Sequence, residues 1–215
     1  MKRKIAHLFI AAIVALLLAV PLSHAGGTPL ICHPYAIGDA EVLPLGHDFH
    51  GCTKSYARKN LTSDTLALLT PQRPVIVRME ILRQAVIYAA AEKLNWTDYA
   101  DYQPSRVDNL LTALRQRVAS ATESGRALAR FDLGFFLETL RQGNVAVVDG
   151  YADLVKANEL RGGDPEIEFA LALTCARPHR AEMNDHLARA HSAAKPNTLL
   201  AENLPRHFGP TAAVQ

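Results

Sequence analysis

The sequence predicts an all-α fold. From Ser63 onward, apolar residues recur at helical spacing in one run after another. Pro, Gly or an N-capping Ser or Asp separates those runs at lengths that suit helices. The expected architecture is a helical array of about six or seven helices over residues 63–207. An irregular segment, 26–62, precedes it and a flexible tail, 208–215, follows.

Residues 1–25 stand apart from that array. Lys2, Arg3 and Lys4 lead an apolar run from Ile5 to Val20, and Ser23 and Ala25 close the stretch. A basic start, an apolar middle and small residues at the end make a secretory signal peptide, with cleavage expected between Ala25 and Gly26. An uncleaved anchor needs about 20 apolar residues, more than this run supplies. A lipid anchor on Cys32 is disfavoured because Pro29, Leu30 and Ile31 precede it, displaced from the apolar run. Export is therefore expected, to a periplasmic or extracellular destination, with no stable membrane insertion after cleavage.

Of the 23 Lys and Arg, three leave with the leader, which leaves 20 against 21 Asp and Glu. A near-neutral mature chain lacks the basic field that draws nucleic acid, so no nucleic-acid partner is expected.

The helices are justified in chain order. Ser63 is the expected N-cap of a short helix over Asp64 to Leu69, which Pro71 ends. Pro74 opens the next, Val75 to Leu94, which is apolar over most of its circumference and so reads as the central core helix. The β-branched Val75-Ile76-Val77 also suits a strand, but the length and Ala-rich finish favour helix. Trp96, Tyr99 and Tyr102 follow in a connector. Three aromatics at that spacing either plug a corner between helices or offer a low-specificity binding ledge. Asn60-Leu-Thr62 and Asn95-Trp-Thr97 also match the short N-glycosylation sequon.

Val107, Leu110, Leu111, Leu114, Val118 and Ala121 then trace one face of a helix that Pro104 and Ser105 begin. Arg126 to Gln142 is an aromatic-rich helix that Gly143 is expected to stop. Gly134 within it costs about 1 kcal/mol relative to Ala, which points to a close helix crossing. Val145 to Arg161 is a further helix, ended by Gly162-Gly163. Asp164, Pro165 and Glu166 supply an N-cap, a first-turn proline and an acid for a helix that runs to about Arg177. His179 to Ala194 follows, with Met183, Leu187, Ala190 and Ala194 facing inward. Leu199 to Leu204 is a last short helix.

Residues 164–197 resemble a tetratricopeptide-type helical hairpin. Ala170, Ala172 and Ala190 are small where two helices would cross, Leu187 lies one turn before Ala190, and Pro196 sits in the following turn. No second copy at a fixed period is evident elsewhere. The resemblance implies a stacked helical hairpin and a peptide-binding surface.

Chemistry concentrates between Cys32 and Cys52, a stretch that also holds His33, His47 and His50. Export favours a disulfide between Cys32 and Cys52, worth about 3 kcal/mol by the chain-entropy relation and able to pin the N-terminal segment. The competing reading is a structural zinc held by these cysteines with His33, His47 and His50, although the spacing matches no zinc signature. Otherwise no cofactor is expected. Cys175, in an apolar helical run, is expected to be a small buried residue. His179 and His186, seven apart with Asp185 beside them, read as a solvated face.

No nucleophile elbow, phosphate-binding loop or dinucleotide fingerprint is present. The expected function is a binding or structural module for a peptide or protein partner. The alternative is a small metal-dependent or hydrolytic enzyme centred on His33, His47 and His50.

Overall fold

A computed structural model describes residues 29–45, 53, 55–90, 104–145, 149–176 and 181–209, and these are helical throughout their regular structure. Nine α-helices lie among the described residues: α1 Pro29–Cys32, α2 Leu61–Leu68, α3 Val75–Ala90, α4 Pro104–Ser120, α5 Arg126–Gln142, α6 Tyr151–Leu160, α7 Pro165–Cys175, α8 Met183–Ala193 and α9 Leu199–Phe208. A 3-10 turn, Arg58–Asn60, leads directly into α2. None of these helices is long and apolar enough to cross a membrane.

Helix α3 is the centre of the fold, with every residue from Val75 to Ala90 buried. Its β-branched start is helical because α7 caps it from outside. The Ile76 backbone N–H donates to Glu166 Oε2 at 3.1 Å, which places a carboxylate at the positive end of the α3 dipole. The polar residues of α3 are buried with partners, as a fully enclosed helix requires. Arg78 donates from Nε and Nη2 to the two Asp132 oxygens on α5, both at 2.8 Å, and also reaches the carbonyls of Leu69 and Thr70 beyond α2. One guanidinium thus ties three parts of the chain together.

Phe131, Phe135 and Phe136 of α5 and Phe169 of α7 pack fully buried around α3. Their burial follows from the size of the apolar surface they remove from water.

Helix α5 packs most extensively on α6, and α7 on α8, with α6 joining the two pairs. The helix ends recur at a near-constant interval. Gln142 to Cys175 and Leu160 to Ala193 are each 33 residues, and the N-caps Asp164 and Thr198 are 34 apart. The sequence did not reveal this interval because the turns that mark it share no residue types.

Several boundaries differ from expectation, each for a physical reason. Helix α2 begins at Leu61, two residues before Ser63, and the Ser63 hydroxyl donates back to the Asn60 carbonyl instead of capping. At the end of α5 the left-handed residue is Asn144, φ 54°, and not Gly143. Val145 N–H bonds to Leu140 O and Asn144 N–H to Arg141 O, the pairing that satisfies a helix's last carbonyls. Gly162 and Gly163 do adopt positive φ after α6, as their sequence position suggests.

Helix α6 starts at Tyr151, not Val145. Helix α8 buries His186 and Ala190, whereas Met183 and Leu187 are only partly covered. Helix α9 continues past Leu204 through Pro205 to Phe208, which packs on Phe169, so Phe208 belongs to the array and not to a tail.

The expected disulfide would pair Cys32 with a residue whose position the structure does not describe, while hydrogen bonds hold the described part of the N-terminal segment. Cys52 lies outside the described residues, and no disulfide joins two described cysteines. The segment around α1 is held by α3, α5 and α9 through its own backbone.

Candidate functional site

The backbone of residues 30–36 is gripped by side chains from three helices. Leu30 N–H donates to Gln142 Oε1 at 3.1 Å, and the same amide donates from Nε2 to Leu173 O, joining α1, α5 and α7. Arg83 Nη1 donates to Ile31 O at 2.9 Å, and Tyr35 N–H donates to Glu80 Oε2 at 3.1 Å. Glu80 is itself fixed by Arg83 Nη2 at 2.6 Å and Gln84 Nε2 at 2.8 Å. Asn203 of α9 completes the grip: its Oδ1 accepts from Ala36 N–H and its Nδ2 donates to Ala36 O, both at 2.8 Å. An amide side chain that pairs with both backbone groups of one residue holds main chain irrespective of side-chain identity.

Between these polar contacts the Tyr35 ring is buried in an aromatic cage. It stacks on His207 with ring centroids 4.7 Å apart and meets Phe135 and Phe169 edge-on, both at 6.3 Å. Burial first, then the nearby Glu80 carboxylate, holds the Tyr35 phenol well above its ordinary range. Burial also pushes His207 down to about 4, helped by the positive fields of His33, Arg206 and Arg83. Tyr35 Oη and both His207 ring nitrogens are buried without a hydrogen-bond partner among the described residues. The His207 imidazole is therefore neutral near pH 7.

Of the residues singled out in the sequence, His33 lies here, exposed, with its ring edge-on to His207 at 5.9 Å. His47, His50, Cys52, Trp96, Tyr99 and Tyr102 lie outside the described residues, as does His179. Among the described residues no group of three or more His, Cys, Asp or Glu is placed to hold a metal ion.

A second polar centre joins α6, α7 and α8. His186 is buried, contrary to the solvated face expected of it. Its Nδ1 lies 2.6 Å from Glu168 Oε2, and its Nε2 lies 2.9 Å from Tyr151 Oη. Glu168 is held by Asn158 Nδ2 at 2.8 Å and by Arg189 Nε at 2.8 Å. Burial works to raise Glu168, but hydrogen bonds from Arg189, His186 and Asn158 outweigh it and hold the carboxyl below its ordinary value.

Arg189 Nη2 also approaches His186 Nδ1 at 2.7 Å. A carboxylate only accepts and a guanidinium only donates, so the two neighbours demand opposite states of Nδ1. The contact to Glu168 suits a proton on Nδ1, and in that tautomer Nε2 accepts from the Tyr151 hydroxyl.

Spacing along the chain could not have found this centre, since Tyr151, Glu168 and His186 lie on three helices. The one available signal was Glu168 itself, a carboxylate next to the apolar run from Phe169 to Leu173.

No protein-family model, no curated protein and no solved structure matches the chain. The class of protein is thus defined by its own architecture: a helical array with a main-chain grip at one face and a Tyr-His-Glu line of hydrogen bonds between three of its helices.

Proposed function

We propose that this chain is an exported helical module that binds a peptide or protein segment. The observation that carries the reading is the grip on residues 30–36. Helices α3 and α9 hold a non-helical stretch, Tyr35 and Ala36, through its backbone, and rings from α5, α7 and α9 take one aromatic side chain into a cage. That is the chemistry by which helical surfaces read an extended peptide, with main-chain bonds for affinity and a pocket for specificity. The helix-end interval of 33 or 34 residues gives further support, because it is close to the period of about 34 of tetratricopeptide-type arrays, which stack into extended binding surfaces. The basic, apolar and small-residue order of residues 1–25 supports export.

In this reading the chain's own residues 30–36 occupy the face, and a partner peptide with one aromatic beside small residues competes for it. The test is a titration of the purified mature protein with a labelled peptide spanning Ile31 to Ala40. Saturable binding together with faster hydrogen exchange at the Tyr35 and Ala36 amides supports the reading. Absence of binding in large peptide excess, with those amides exchanging only through global unfolding, makes the segment a fixed part of the core and overturns it. Export is tested by N-terminal sequencing of the protein from the exported fraction, where Gly26 is the expected first residue.

A further inference from the structure

We propose that Tyr151 is a nucleophile that takes up an acyl group from an activated ester, with His186 as its base and Glu168 as the residue that positions the base. Three facts of geometry carry this. Tyr151 Oη, His186 and Glu168 lie in a line of hydrogen bonds of 2.9 Å and 2.6 Å, the order of nucleophile, base and orienting acid. Glu168 is immobilised from a second helix by Asn158 and from a third by Arg189, so the base is held in one orientation. Tyr151 is only partly buried at the start of α6, whereas His186 is 7% exposed, so the nucleophile's residue is the more accessible of the two and the base is shielded.

The charges choose the electrophile. Arg189 Nε lies 2.8 Å from Glu168 Oε1, and the two charges cancel beside the imidazole. The exposed Asp185 on the same helix adds a further negative charge. Among the described residues the cation of the cluster, Arg189, is paired with Glu168, so an uncharged carboxylic ester is the substrate class the cluster suits better than a phosphate.

In the step proposed, the Oη proton moves to His186 Nε2 as Oη bonds to the ester carbonyl carbon. The tetrahedral adduct then expels the alkoxide or phenoxide, which takes the proton from Nε2. The products are an O-acyl tyrosine and an alcohol or phenol. Water follows the same route to release the carboxylic acid and restore Tyr151.

The probe is 4-nitrophenyl acetate, mixed with the full mature chain. The expected result is a stoichiometric burst of 4-nitrophenol and an acetyl group on the peptide that carries Tyr151. Tyr56 is an internal control: its hydroxyl donates to Asp64 at 2.9 Å and has no histidine base among the described residues, so it is expected to react far more slowly. Tyr151→Phe keeps the ring and removes only the hydroxyl, and it is expected to fold normally and lose the burst. Glu168→Gln is expected to slow acylation about 100-fold and to alter its pH profile, a readout that a purely structural role would not move. The proposal is overturned if acetyl appears on lysines, Tyr56 or His186 in preference to Tyr151, or if folded Tyr151→Phe retains the burst. Should Glu168→Gln fail to fold, the comparison of the native chain with Tyr151→Phe still decides.

Discussion

Gly134 of α5 and Gly150, just ahead of α6, meet backbone to backbone: a Cβ built on Gly134 would lie 2.7 Å from the Gly150 carbonyl oxygen and 3.0 Å from the Leu154 amide nitrogen. Both obstacles are main chain, so no side chain can rotate away to make room. Gly134→Ala gains about 1 kcal/mol of helix propensity but overpacks the crossing by about 1–3 kcal/mol. The crossing wins, and urea denaturation is expected to give a net loss of stability. A gain would show that α6 can slide outward.

Asn203 is the residue on which the N-terminal grip depends most. Asn203→Leu fills the same space but leaves the Ala36 N–H and C=O buried without partners. At about 1–3 kcal/mol for each of the two orphaned groups, the expected destabilisation is about 2–6 kcal/mol. Limited proteolysis should then cut first within residues 30–36. A variant as stable and as protected as the native chain would mean that water replaces the amide.

The Arg78 and Asp132 pair is 1% exposed on both sides, where a lone charge is far costlier than none. Arg78→Met strands the Asp132 carboxylate and is expected to cost about 3–5 kcal/mol. Joint Arg78→Met and Asp132→Leu substitution should recover much of that loss. A double variant as unstable as the single one would place the cost in the Leu69 and Thr70 carbonyls that Arg78 also serves.

His207 links stability to acidity. Its imidazole falls from 6.5 unfolded to about 4 folded, so between those values the unfolded chain binds a proton that the folded chain does not. Stability from this group is complete above pH 6.5 and drains away as pH falls towards 4, by about 3 kcal/mol. Equilibrium unfolding at a series of pH values is expected to show that slope, and His207→Phe, which keeps a ring against Tyr35, to flatten it. An unchanged slope in His207→Phe would assign the acid sensitivity to other groups; Glu168 withdraws stability only at lower pH, below its unfolded value of 4.5, as pH falls through its lowered folded value.

The helices were legible where local chemistry decides them. The Asp164 cap accepts from Glu166 N–H at 2.9 Å with Pro165 in the first turn, and α5 spans the residues that its apolar spacing marks. What escaped was chosen by distant partners. His186 reads as a surface histidine until Glu168 and Tyr151 are seen around it, and nothing in the sequence singles out Asn203 until Ala36 is placed against it. The charges of α3 belong to the same class: the length of an apolar run shows that a helix is central, but not which carboxylate will meet which guanidinium inside it.

The contact between Ala36 and Asn203 spans 167 positions of sequence. Any chain delivered with its N-terminus first exhibits residues 30–36 long before α9 has been made, and until then the two backbone groups of Ala36 have only water to bond to. The partners of this segment arrive in stages, Glu80 after 45 positions, Gln142 after 112, and Asn203 last. Closing so wide a loop is slow and becomes favourable only when both ends are present. The earliest described part of the polypeptide thus depends on the latest, and the two backbone groups of Ala36 gain their partner only once the beginning of the array is fastened to its end.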